Sequence, residues 1–101
     1  MLLSDIAEVH FHWSESGFLN KELGKNSDSD IEIGVDPIRA NELIAKAAKL
    51  VDGGYDKTVL TIRLKDGKVF CNEIKFYIVR RTAGLLDLIG EEVITVSQDG
   101  G

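Results

Sequence analysis

The stretch from Thr58 to Arg80 constrains this chain more than any other. It concentrates β-branched and aromatic residues, among them Val59, Ile62, Val69, Phe70, Ile74, Phe76, Tyr77 and Ile78, which favour extended backbone. Asp66-Gly67 divides the run. Asp-Gly between alternating apolar segments is the strongest short-range signal for a β-hairpin. Two connections compete. A two-residue turn pairs Lys65 with Lys68 and puts Leu60, Ile62, Leu64, Val69, Cys71 and Glu73 on the inner face, which buries a carboxylate. A three-residue connection, with Gly67 left-handed, pairs Leu64 with Lys68. Its inner set is Thr58, Leu60, Ile62, Leu64, Phe70, Asn72, Ile74, Phe76 and Ile78, with no bulge needed. We adopt the second. The outer face then carries Val59, Thr61, Arg63, Lys65, Val69, Cys71, Glu73, Lys75, Tyr77, Val79 and Arg81, more apolar than a solvated face needs.

The rest of the chain supplies what such a hairpin packs against. Residues 6–14 alternate, with Ala7, Val9, Phe11 and Trp13 pointing one way and Glu8, His10, His12 and Ser14 the other, as in a half-buried strand. Residues 15–29 are rich in Gly, Ser, Asn and Asp and read as the longest irregular segment, anchored by Phe18, Leu19 and Leu23 through either a short helical turn or a ragged strand. Residues 30–35 alternate again, with Ile31, Ile33 and Val35 inward, and form a second strand antiparallel to the first. Asp36 then caps a helix that Pro37 opens and Gly53-Gly54 stops. Its apolar stripe is Ala40, Leu43, Ile44, Ala47, Leu50 and Val51. After the hairpin, residues 83–89 suit a short helix and residues 91–97 a last strand. The expected architecture is α+β: an antiparallel sheet of four to five strands with one main helix, residues 37–52, on one face, in the order β-β-α-β-β-(α)-β.

Length and charge narrow the class. A chain of 101 residues is expected to be one domain, residues 1–101. The single Cys71 leaves no internal disulfide and suits a reducing compartment; with no apolar run of membrane length and no basic leader, the cytoplasm is the expected location. Net charge is −5, and residues 1–54 hold ten acids against five bases while residues 55–101 hold seven of each. A nucleic-acid binder needs a basic patch, so that class is set aside.

The chemistry-bearing residues are few. Glu8, His10 and His12 share a strand face beside Trp13, and two histidines spaced by two can chelate a metal. A site needs a third ligand, and no other histidine exists, so solvated histidines are the plainer reading and no metal is assigned. Ser29-Asp30-Ile31-Glu32 resembles the Ser-Asp-x-Asp strand of nucleotidyltransferases of the polymerase-β kind, over about six residues. The resemblance implies Asp30 and Glu32 as carboxylates holding magnesium for phosphoryl transfer. The Gly-Ser that should precede it is missing, and the second acid is glutamate, which leaves the polar end of a strand as the simpler account. Cys71 reads as a small apolar filler on the hairpin's outer face.

These observations favour a small non-enzymatic protein-binding module of the inhibitor, immunity or accessory-factor type. Its contact residues are Val59, Val69, Tyr77 and Val79, left bare unless residues 83–89 fold over them. The partner is another protein, basic at the contact, or a second copy across a two-fold axis. The alternatives are a small-molecule or metal-binding module using Glu8, His10, His12 and Trp13, and a minimal metal-dependent enzyme. No catalytic residue and no cofactor is assigned.

Overall fold

The structure is a computed structural model and describes residues 1–25 and 31–90. A 3-10 turn at Leu3–Asp5 leads into β1 (Ile6–Ser14), followed by α1 (Gly17–Leu23), β2 (Ile33–Val35), α2 (Pro37–Lys49), β3 (Tyr55–Leu64) and β4 (Val69–Val79). Residues 85–90 are helical and are called α3. The strands form one sheet in the order β2-β1-β3-β4, every pairing antiparallel. This is the expected α+β arrangement, with four strands among the described residues. The expected strand at 91–97 lies outside them.

Local chemistry explains each helix. Asp36 Oδ1 accepts the Ile38 and Arg39 amides at 2.8 and 3.4 Å, and Pro37 fills the first helical position at no hydrogen-bond cost. The buried stripe of α2 is Ala40, Leu43, Ile44, Ala47 and Ala48. The helix stops four residues short of Gly53, at Lys49, because Leu50 tightens the last turn by donating to Ala47 O at 3.0 Å. Leu50 therefore faces water rather than the core, and Val51 packs instead. The segment read as irregular holds α1, capped by Ser16 Oγ on the Leu19 amide and ended by Gly24 at φ 68°.

One contiguous core gathers Leu19 from α1, the α2 stripe, Leu85, Leu88 and Ile89 from α3, and Val9, Phe11, Leu60, Ile62, Cys71, Phe76 and Ile78 from the sheet. The three described α-helices thus share one face of the sheet. Residues 83–89 were one of two expected covers for the other face. They pack instead beside α2, where Asn41 Oδ1 accepts the Leu85 amide at 2.9 Å.

The hairpin connection is the three-residue one. Leu64 N donates to Lys68 O at 2.7 Å, Gly67 N to Leu64 O at 3.0 Å, and Gly67 has φ 91°. Phe76 and Ile78 share the core with Ile62, as that register requires. The expectation of an unbroken strand needs correction: β4 carries bulges between its pairings Leu60↔Ile74, Ile62↔Cys71 and Arg63↔Val69. Each adds one residue to β4 and resets the alternation. Cys71 moves into the core, Asn72 out of it, and Phe70 stays on the rim at 37% exposure. β1 is bulged too, between its pairings at Ile6 and Glu8 and at Phe11 and Trp13. The first turns Ile6 in and Ala7 out; the second leaves Trp13 exposed and Ser14 buried, reversing the expected sides of Ala7, Trp13 and Ser14.

Asp56 lies on β3 opposite the fully buried Ile78. Burial raises its pKa from the ordinary 3.8, and the Glu15 carboxylate raises it further. A raised carboxylate pKa means the folded state holds its proton more tightly, so ionising Asp56 lowers stability as pH rises through that range. Asp56→Asn is expected to melt at a higher temperature than the wild type at pH 7. The gain should shrink as pH falls and vanish below 3.8, which thermal melts across pH would check.

Candidate functional site

The helix-free face holds the polar cluster of this molecule. His10 pairs with Thr61 on β3 and Gly34 on β2, so all three lie on the side opposite Val9 and Ile62. Gly34 makes room: a methyl there would overlap the Glu8 carboxylate and sit 3.5 Å from His10 Cε1. Glu8 and Glu32 can then flank one ring. His10 Nε2 lies 3.0 Å from Glu8 Oε2, and His10 Nδ1 lies 2.8 Å from Glu32 Oε1. Both nitrogens are buried, yet neither contact has the directionality of a hydrogen bond. The two carboxylates thus flank the ring without aligned hydrogen bonds to it.

His12 continues the cluster. Its Nε2 is 2.7 Å from Thr61 Oγ1. That hydroxyl also accepts the Glu73 amide at 2.9 Å and donates to Asn72 Oδ1 at 3.4 Å. In the His12–Thr61 contact either atom can donate, according to which imidazole nitrogen carries the proton. The other nitrogen, Nδ1, lies 3.7 Å from Glu32 Oε2 and 3.9 Å from Glu73 Oε1. Glu73 reaches this position through the β4 bulge. Its φ of 54° makes it the one non-glycine residue with positive φ among those described. Backbone strain of this kind collects where a side chain must be aimed. Lys25 secures the β1 bulge from the strand edge, where its ammonium donates to the Phe11 and His12 carbonyls.

Beside His12 opens a cleft of about 550 Å³ lined by His12, Trp13, Val59, Glu73 and Lys75. Of the sequence-derived ligand residues, Glu8, His10 and His12 come together with Glu32, Thr61, Asn72 and Glu73, while Trp13 meets His12 only in the wall of the cleft. Glu32 was singled out with Asp30, which lies outside the described residues; the structure places Glu32 against the two histidines. The contribution of Glu73 depends on a bulge that no periodicity reveals.

The sequence-derived contact residues are dispersed. Val59 is buried, though outside the main core, in the wall of the cleft. Tyr77 is exposed and meets Tyr55 edge to face at 5.0 Å, beside the half-buried Val79. Val69 pairs with Arg63 while Tyr77 pairs with Lys57. Six positions of β3 separate them, roughly 20 Å at about 3.3 Å per residue. Glu73 and Lys75 lie in between, so the four do not make one apolar patch. No helix among the described residues is long and apolar enough to cross a membrane. No protein-family model matches the sequence, and no curated protein or solved structure is significantly similar to it.

Proposed function

We propose that this chain is a small binding module whose helix-free sheet face docks on another protein, one that brings a basic group to Glu8, Glu32 and Glu73. One observation carries the reading. Every described helix packs on the same side, and the opposite side carries Trp13, Tyr55 and Tyr77 as well as those three acids. The four strands, at about 4.8 Å spacing and about 3.3 Å per residue, give a face of order 500 Å² in projection, toward the small end for one side of a standard interface. Aromatic side chains with polar tips are the anchors such interfaces use. Charge on the face is polarised: the acids gather around the histidines, whereas Lys57 and Lys75 lie toward Tyr77. A partner's basic groups fit the first end. The lone Cys71, buried in the core, suits a reducing compartment such as the cytoplasm.

The test is site-specific photo-cross-linking in the native host, with a benzophenone amino acid at Tyr77 or, as control, at Lys46 on the exposed side of α2. The expected result is a single heterologous adduct from position 77 that disappears when Glu8 and Glu73 are reversed to lysine. An adduct formed equally from position 46, or one indifferent to the charge reversal, would overturn it. An adduct of twice the chain mass would replace the foreign partner with a second copy.

A further inference from the structure

The sheet register sets Trp13, Val59 and Lys75 in one row across β1, β3 and β4. That row lines the cleft of about 550 Å³ on the helix-free face, and His12 and Glu73 complete the lining. The exposed Trp13 and the neighbouring Val59 give the cleft an apolar wall. Lys75 and Glu73 give it one cation and one anion. They are two residues apart on β4, no more than about 6.6 Å along the strand. Yet they form no ion pair with each other. The Glu73 carboxylate lies 3.9 Å from His12 Nδ1, and Lys75 has no hydrogen-bond or ion-pair partner among the described residues. We propose that the cleft binds a free α-amino acid with an apolar or aromatic side chain. Its ammonium meets the Glu73 carboxylate, its carboxylate meets the Lys75 ammonium, and its side chain lies on Trp13 and Val59.

Complementarity of charge and shape selects this ligand. An apolar wall with a few placed polar groups is the usual make-up of a small-molecule site. A ligand carrying one charge would set it beside a group of like sign, because Lys75 and Glu73 share the cleft. A zwitterion matches both at once. In an α-amino acid the two charges are one carbon apart, which bridges a gap too wide for a direct ion pair. The backbone commits Glu73 to this place: its φ of 54° is strained, and Thr61 Oγ1 accepts its amide at 2.9 Å. Strain kept at an exposed side chain points to a role in binding. Glu8 and Glu32 do not line the cleft, so the site stands without the docking partner.

The experiment is titration of the full chain with phenylalanine and with leucine, read by Trp13 fluorescence and by isothermal calorimetry. Trp13 is the only tryptophan, so its emission reads this cleft. The expected result is saturable binding of one equivalent of at least one of them. N-acetylphenylalanine lacks the ammonium and phenylalaninamide lacks the carboxylate. Each should bind about 10-fold more weakly or worse, the scale of one lost charge-assisted hydrogen bond. Lys75→Gln should weaken phenylalanine by a similar factor and leave phenylalaninamide unchanged. Glu73→Gln should weaken phenylalanine likewise and leave N-acetylphenylalanine unchanged. Glu42→Gln on α2 should alter none of these. Glu73 and Lys75 are exposed, and far-UV circular dichroism confirms that each variant is folded. Absence of binding of both amino acids at millimolar concentration would overturn the site. So would equal affinity for the two derivatives and the parent, or affinities indifferent to both substitutions.

Discussion

Phe76→Ala should cost about 3–5 kcal/mol of folding stability, the range for removing a fully buried phenylalanine from a packed core. Phe76 is 1% exposed and pairs with Thr58, inside the shared core of sheet and helices. A domain of this size has about 5–15 kcal/mol in total, so the variant should be near its unfolding threshold at room temperature. Phe70→Ala is the comparison that makes the measurement diagnostic. Both phenylalanines belong to the inner set of an unbroken β4. The bulges leave Phe70 at 37% exposure on the rim, beside Met1, Leu86 and Ile89. Its loss should cost about 1–2 kcal/mol, in proportion to the smaller area buried. Urea unfolding of the two variants would check the register: equal costs would mean that β4 runs without bulges.

Glu73→Gly should move stability the other way, raising it by about 1–2 kcal/mol, the typical left-handed penalty for a residue with a Cβ. The cause is local. Glu73 is held at φ 54°, and glycine adopts that conformation without strain. Glu73→Gln keeps the strain and loses only the charge, so its stability should stay near the wild type. A surface position where glycine stabilises and glutamine does not would locate the strain in the backbone of the β4 bulge. The same substitution removes a carboxylate from the His12 cluster, so the glycine variant should be firmer while that cluster loses one of its charges. Stability held back at a site that aims a side chain is a recurring exchange in proteins.

The sequence was informative where a signal is local. Asp36-Pro37 announced the start of α2 and Asp66-Gly67 the place of the hairpin, because capping and left-handed turns depend on one or two residue types; the three-residue connection was chosen over the two-residue one from the side chains each would bury. Alternation identified β1 and the histidine face. It failed at Trp13, Phe70 and Cys71, where each bulge inserts one residue and every later side chain changes sides. Nothing in the composition of Cys71-Asn72-Glu73 announces that shift. α1 was equally hard to read: Gly17–Leu23 is short, and its helix rests on the Ser16 cap and the burial of Leu19. The candidate site divides the same way. Glu8, His10 and His12 could be named from spacing alone, since residues two apart on a strand share a face.

Sequence by itself determined the class of this protein, the start of its best helix, the place of its hairpin turn and its acidic character. Those follow from dihedral preferences and periodicity within a few residues. Only the tertiary structure decided which face of the sheet the helices leave bare, and that Glu32 and Glu73, 41 positions apart, meet at His12. Such a meeting depends on strand order and bulge position. Both are set by how side chains from distant segments fill one core, a condition that no stretch of the chain carries alone.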